Sequence, residues 1–122
     1  MTKKLMVAIA LFFCGIAVGR AFQPGTGKVY EMRTYTAAEG KLDAVNARFR
    51  DHTRRIFERH NMKSVGYWTP LEGPTAGTTL IYILEHPSRE EARKNWAEFS
   101  ADPEWQKVKA ESEKDGRIVA KA

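Results

Sequence analysis

Three residues whose types suit the binding of a polar ligand alternate along the first strand-like segment of the sequence. Glu31, Arg33 and Tyr35 place an acid, a base and a phenol at every second position. Because successive side chains of a strand point to opposite faces, these three share one face. Two interpretations are open. One is a structural ion pair between Glu31 and Arg33, and the other is a pocket in which Arg33 holds an anionic group and Tyr35 donates a hydrogen bond.

His52 is the candidate for a catalytic base, although the sequence completes no catalytic set around it. It falls between Phe49 and Ile56 on the apolar face of a predicted helix. A histidine there is either a satisfied core residue or a base that reaches into a pocket. Tyr67 and Trp68 follow one another on a second predicted strand, so one of them faces the same interior. The candidate ligand-binding residues are therefore Glu31, Arg33, Tyr35, His52, Tyr67 and Trp68.

The sequence offers no pattern for a metal or a cofactor. Its histidines lack metal-ligand spacing, and His60 and His86 lie at the ends of predicted elements, where caps and turns are found. Cys14 is the single cysteine and lies in the N-terminal segment. No G-x-S-x-G, P-loop or dinucleotide-binding glycine pattern occurs. We therefore predict no metal and no cofactor, and hydrolase, nucleotidase and nicotinamide-dependent activities have no support.

The first 21 residues have the pattern of a secretory signal peptide. Two lysines precede the uncharged, mostly apolar run of residues 5–18, which is too short as a helix to span about 30 Å of hydrocarbon. Small residues then follow, as at a cleavage site. We predict a signal peptide over 1–21, a linker over 22–27 and one domain over 28–122. The alternative is an uncleaved N-terminal anchor. The predicted location is periplasmic or secreted, with no stable membrane insertion after cleavage.

The predicted domain carries almost balanced charge. The whole chain has a net charge of +5, but three of its basic residues and none of its acidic ones lie in residues 1–21. The remainder shows no basic stripe, which argues against nucleic acid as a partner. A length of 122 residues gives room for one hydrophobic core.

The predicted element order is β-α-β-β-α-β. The strands are predicted at Lys28–Thr36, Met62–Thr69, Thr78–Glu85 and Arg117–Ala120, and a long helix at Gly40–His60. Ser88 and Glu91 have the spacing of a capping box, and Asp102 before Pro103 is typical of a second helix start. This order favours a ferredoxin-like α+β fold, an antiparallel sheet with its helices on one face. The other face of such a sheet normally meets a partner subunit or encloses a ligand.

Four segments together resemble the NIPSNAP family of the dimeric α+β barrel superfamily. They are YEMRTYTAAEGKL (Tyr30 to Leu42), HTRRIFERHNM (His52 to Met62), VGYWT (Val65 to Thr69) and ADPEWQ (Ala101 to Gln106). The resemblance implies a ferredoxin-like subunit that pairs sheet to sheet into a homodimeric barrel. It implies no established reaction. In that arrangement we expect Tyr30 and Met32 to pack on the helices, and the opposite face of the strand to line the barrel interior.

Two functional hypotheses follow. The first is an exported homodimeric domain that binds a small molecule or a partner protein in or around the barrel. The alternative is a cofactor-independent monooxygenase or isomerase acting on a small aromatic substrate. In that case His52 would accept a proton, while Arg33 and Tyr35 would stabilise an enolate or phenolate.

Overall fold

The computed structural model describes residues 27–122. The predicted signal peptide and nearly all of the predicted linker lie outside these residues. The elements in chain order are β1 (Val29–Ala37), α1 (Leu42–Arg48), a π-helical turn (Phe49–Thr53), α2 (Arg54–Arg59), β2 (Lys63–Trp68), β3 (Thr79–His86), α3 (Arg89–Ala101), α4 (Pro103–Ser112) and β4 (Val119–Lys121). Within this part of the chain, no helix is both long and apolar enough to cross a bilayer.

The four strands form one antiparallel sheet in the order β2-β3-β1-β4. The two central strands, β1 and β3, pair along all of β3 and all but the last residue of β1, from Val29 opposite His86 to Thr36 opposite Thr79. This strand order confirms the predicted ferredoxin-like α+β fold. The edge strand β4 begins two residues later than predicted and pairs with only the last two residues of β1.

One face of the sheet carries the hydrophobic core. Alternate residues of β3 are buried there, from Leu80 through Tyr82 and Leu84 to His86. They pack against Val45, Phe49, Ile56, Phe57, Phe99 and further residues of the helical layer. The alternate buried residues of β3 therefore pack against the apolar faces of the helices, as in other two-layer α+β domains.

The predicted long helix is divided by the π-helical turn, and this changes which residues face the core. The hydroxyl of Thr53 donates a hydrogen bond to the carbonyl oxygen of Arg48, five residues earlier, at 3.2 Å. A π-helical turn closes i→i+5 bonds and is wider than an α-helical turn, so each residue advances by a smaller angle. Thr53 is consequently buried and His52 is exposed. The expected place of His52 on the apolar face is therefore wrong.

The two faces of β1 are also reversed relative to the expectation. Tyr30 and Met32, expected to pack on the helices, are 63% and 68% exposed on the open face of the sheet. Glu31, Arg33 and Tyr35 instead point toward the helical layer, where they contact Trp96 and Phe49. The helices of the same chain cover the polar side of the strand, and α3 and the core supply partners for its acid and base.

Both predicted helix starts on the C-terminal side of the sheet are confirmed. Ser88 caps α3, since its hydroxyl accepts a hydrogen bond from the backbone N–H of Glu91. Asp102 caps α4, since its carboxylate accepts from the backbone N–H groups of Glu104 and Trp105. Pro103 occupies the first turn of α4, where its missing N–H costs no hydrogen bond.

Candidate functional site

Glu31 is the centre of a polar cluster between the sheet and α3. Its Oε1 accepts hydrogen bonds from the indole N–H of Trp96 at 2.7 Å, and lies 2.8 Å from Nε2 of His86. Its Oε2 accepts from Nη1 of Arg33 at 3.1 Å. Burial alone would raise the pKa of Glu31, but the hydrogen bonds from Trp96, His86 and Arg33 lower it below its usual value. The carboxylate is therefore held ionised with three partners.

Arg33 lies between aromatic rings and keeps an unused donor. Its guanidinium carbon is 4.8 Å from the centre of the Trp96 ring and 5.8 Å from that of Tyr35, distances typical of cation–π contacts. The Nε atom is buried and has no hydrogen-bond partner among the described residues. The Glu31–Arg33 pair of the first interpretation exists, and it does not use all the donors of Arg33.

An aromatic group continues from this cluster into the core. The ring of Tyr35 lies 5.3 Å from that of Tyr82 and 5.5 Å from that of Phe49, both edge to face. Tyr67 stacks on Tyr82 at 5.6 Å, and its hydroxyl lies 2.8 Å from that of Ser64. Burial raises the pKa of the Tyr82 hydroxyl, which finds no hydrogen-bond partner within residues 27–122. Burial likewise raises the pKa of Tyr67, so the phenols of Tyr67 and Tyr82 both remain neutral.

The structure brings together some of the predicted site residues and separates the others. Glu31, Arg33 and Tyr35 share the helix-side face of β1, and Tyr67 joins them through Tyr82. Trp68 lies on the open face, half-exposed, with its ring so close to Gly66 that a Cβ there would lie 2.6 Å from it. Of the two neighbouring aromatics on β2, Tyr67 is thus the one that faces the cluster.

His52 is remote from the cluster. It lines an outer groove of about 600 Å³, together with Asp51, Arg55 and Lys107. This groove lies between α4 and the continuous helical segment formed by α1, the π-helical turn and α2. Glu31, Arg33 and Tyr35 do not line this groove. The combination of His52 with Arg33 and Tyr35, on which the catalytic hypothesis depends, is not formed.

Two members of the cluster were missed as site residues. The sequence predicts a cap or turn residue at His86, yet this side chain is fully buried and contacts Glu31. The alternation of Leu80, Tyr82 and Leu84 in β3 was the signal for it, because the same period places His86 on the core face. For Trp96, no local pattern in the sequence could show that its N–H meets a carboxylate 65 residues earlier.

The cluster can bind polar groups and hold a proton, but it has no metal-site character. Glu31 and His86 form a hydrogen-bonded acid–imidazole pair, while Arg33 and Tyr82 keep unused polar atoms. Across the described part of the chain, no group of three or more His, Cys, Asp or Glu side chains is placed to hold a metal ion.

The ferredoxin-like α+β fold, with one face of its sheet left open, defines the class of this protein. The sequence profile of the NIPSNAP family matches residues 30–122, so the chain belongs to the NIPSNAP family. A comparison with curated proteins gave no match.

Solved structures agree with the fold. A NIPSNAP-like domain protein from Burkholderia xenovorans has a TM-score of 0.66 at 14% identity, over 79% of each chain. A NIPSNAP family protein of unknown function from Agrobacterium tumefaciens has a TM-score of 0.63 at 23% identity, over 80% of this chain and 89% of that one. At these identities the likeness concerns the fold alone.

Proposed function

We propose that this domain is a homodimer whose subunits pack through the open faces of their sheets, and that each subunit binds a small molecule beside the Glu31 cluster. The observation that carries the dimer is the exposure of large apolar side chains on one sheet face. Tyr30 and Met32 of β1 and Trp68 of β2 are each at least half exposed. Contiguous apolar patches of this kind mark interaction sites.

The apolar side chains form rows across the sheet. Trp68 pairs with Ile81 of β3, and Met32 pairs with Ile83, which in turn lies opposite Gly66. The Trp68 ring covers the space at Gly66. The result is an apolar surface that crosses β2, β3 and β1 without a charged side chain in either row.

A second copy of this chain is the occupant that fits the surface best. At one end of the face, Glu85 pairs with Lys28 at 2.7 Å, so its charge is already matched within the subunit. An isologous contact would therefore bury apolar area against identical apolar area without an unpaired charge in the apolar rows. The resemblance to dimeric α+β barrels supports the same arrangement.

The proposed ligand site is supported by the unused polar atoms of the cluster. Nε of Arg33 and the hydroxyl of Tyr82 are buried without partners, although buried polar groups are normally hydrogen-bonded. Arg33 and Tyr82 are cross-strand neighbours on the same face. A ligand with a polar acceptor and a planar ring suits a guanidinium flanked by Trp96 and Tyr35.

The catalytic alternative is not advanced, because its proposed base is in the wrong place. His52 is exposed on the outer surface of the helices and lines a groove to which Arg33 does not contribute. The histidine that does meet the cluster, His86, is already engaged by Glu31 at 2.8 Å. Binding therefore accounts for the geometry better than proton abstraction by His52.

Native mass spectrometry of the protein purified from its own host tests the proposal. We expect a dimer that retains a defined small molecule. The variant Met32→Asp places a charge in the apolar row and should weaken the dimer by at least about tenfold, about 1.4 kcal/mol of association free energy. Because Met32 is exposed in the single subunit, the fold of the variant should be preserved.

The matched control for this experiment is Leu71→Asp. Leu71 is equally apolar and 90% exposed, but it lies in the loop between β2 and β3. Its variant should dimerise as the unaltered protein does. A stable monomer of the unaltered protein at micromolar concentration, or equal weakening by both variants, would contradict the proposed dimer. A bare dimer that takes up no compound from a host extract would count against the ligand site alone.

We also propose that the protein acts outside the cytoplasm after removal of residues 1–21. The expected mature chain begins at Phe22, which intact mass measurement of the protein from its host will show. Leu11→Arg puts a charge in the apolar run and should block export, whereas Thr2→Arg adds the same charge to the basic start and should not. Full-length protein retained in the cytoplasm of the unaltered strain is the result that would refute export.

A further inference from the structure

We propose a second binding site, for a small anion, in the surface pocket lined by residues of α1, α4 and β4. The pocket has a volume of about 360 Å³. Its lining includes two aromatic residues, Tyr35 and Trp105, and the charged residues Arg48, Lys109, Glu113, Arg117 and Lys121. The site does not require the dimer or the unused atoms of Arg33.

Arg48 is the anchor of this pocket. Its side chain is only 5% exposed, and its guanidinium carbon lies 5.1 Å from the centre of the Trp105 ring. Nη1 donates to Oγ of Ser112 at 3.2 Å and lies 3.6 Å from Oε1 of Glu113. Nε is buried and has no partner among the described residues. The positive charge of a buried guanidinium is poorly compensated when its one neighbouring carboxylate lies beyond hydrogen-bond distance.

The pKa of Arg48 agrees with this incomplete pairing. Burial lowers it, and the nearby charge of Glu113 offsets only part of that effect. The group still remains protonated at neutral pH, because an arginine begins from a pKa above about 12. A permanent, desolvated positive charge therefore faces a cavity and favours an anion as its occupant.

The rest of the pocket adds positive charge. Lys109, Arg117 and Lys121 line it, and none of the three forms an ion pair with an acidic side chain of residues 27–122. The opposing charges are Glu113 and any carboxylate at Ala122, the last residue of the sequence, which also lines the pocket. The basic side chains outnumber these, so the net field attracts anions.

The chemistry that fits is a phosphate or carboxylate group on a small molecule. A guanidinium binds the oxygens of either group through paired N–H donors, and flexible lysines at a rim neutralise the remaining charge. The volume accommodates such a group with a short organic substituent against Tyr35 and Trp105. Phosphate and carboxylate groups would be bound through the same donors, and the titration experiment distinguishes between them.

The test is isothermal titration of the mature protein with inorganic phosphate and, separately, with citrate at low ionic strength. We expect saturable binding of at least one, and the tighter of the two identifies the head group. Lys109→Glu and Lys121→Glu should each weaken that binding by about tenfold or more. Both residues are exposed, so these variants should fold. In ¹H–¹⁵N spectra, the Arg48 Nε–H signal should shift as the site fills.

The matched control is Lys107→Glu. It makes the same charge change on the same helix, but Lys107 lines the outer groove and not this pocket. The binding constant of this variant for the anion should stay within about twofold of that of the unaltered protein. Absence of saturable binding of both anions would overturn the proposal, as would equal weakening by Lys107→Glu, which would show diffuse attraction by surface charge. Neither result bears on the dimer or on the Glu31 cluster.

Discussion

Replacing Asp102 by alanine is expected to lower the free energy of unfolding by about 2–3 kcal/mol. The carboxylate is 8% exposed and joins three parts of the fold. Its Oδ1 accepts from the N–H of Glu104 at 2.8 Å and so caps α4, while its Oδ2 accepts from Nη2 of Arg59 at 2.5 Å and lies 2.6 Å from Nε2 of His60. Chemical denaturation measures the loss.

Asp102→Asn is the informative comparison. An asparagine at the same position keeps an oxygen for the cap and loses the charge that pairs with Arg59, so a smaller loss is expected. If the alanine and asparagine variants were equally unstable, the ion pair would account for the whole effect. If neither differed from the unaltered protein, the junction of α2, α3 and α4 would not depend on Asp102.

The same carboxylate should give stability a dependence on acid pH. Hydrogen bonds from Arg59 and His60 hold the pKa of Asp102 well below its usual range. Because the folded-state pKa is depressed, this stabilisation is present above the unfolded-state pKa of about 3.9 and is lost as the pH falls toward the folded-state value. The pKa of Glu104, lowered to about 2 by Arg55 and Arg59, adds in the same direction. In the Asp102→Asn variant, the contribution of Asp102 to this pH dependence should vanish.

Glu31→Ala is expected to lower the free energy of unfolding by about 2–3 kcal/mol. The substitution leaves the N–H of Trp96, Nε2 of His86 and Nη1 of Arg33 without their shared acceptor, and leaves the positive charge of Arg33 unpaired. This loss is smaller than that for a fully buried pair because the side chain of Glu31 is 30% exposed and solvent screens its charge. Tryptophan fluorescence should also change, since Trp96 loses a hydrogen-bonded neighbour.

Glu85→Ala is the matched control for this variant. Glu85 lies on the neighbouring strand, but on the open face, where it pairs with the exposed Lys28. Its removal should cost far less than that of Glu31. Glu31→Gln preserves the shape and part of the hydrogen bonding, and should fall between the two. Equal losses for Glu31 and Glu85 would mean that the cluster does not organise the sheet–helix interface.

The elements that the sequence predicted well are those set by local chemistry. The strand at β3 follows from an apolar run bounded by turn residues, and the starts of α3 and α4 follow from Ser88 and Asp102 as N-caps. These signals act over a few residues. The antiparallel α+β order could then be inferred from the alternation of elements, and the strand order β2-β3-β1-β4 confirms it.

The faces of β1 could not be read in the same way. Alternation separates Tyr30 and Met32 from Glu31 and Arg33, but does not say which pair is covered. The resemblance to dimeric barrels predicts that the polar pair faces the barrel interior, on the side of the sheet away from the helices. Its partners, His86 and Trp96, lie far along the chain, and only the tertiary fold shows that they meet Glu31. The tertiary contacts of Glu31 thus contradict the expectation drawn from the resemblance.

The position of His52 failed for a different physical reason. Its assignment assumed a uniform advance of one α-helical turn every 3.6 residues. The π-helical turn breaks that phase, so residues after Phe49 are rotated relative to the regular pattern. Nothing in FRDHT differs enough from an ordinary amphipathic helix to reveal the change. The buried Thr53, bonded to the carbonyl of Arg48, is visible only in the folded chain.

The attachment of α4 has a consequence for how the domain opens. No residue of α4 is fully buried, and polar contacts hold its two ends, with Asp102 and Arg59 at the start and Arg48 with Glu113 at the finish. Parts of a protein that bury little apolar area open at a lower free energy than the global unfolding reaction. The amide hydrogens of α4 should therefore exchange with solvent as one cooperative unit, before those of the central strands. We expect a domain built in this way to release one helix, and to uncover the parts of α1 and α3 against which it packs, while the rest of its core stays intact.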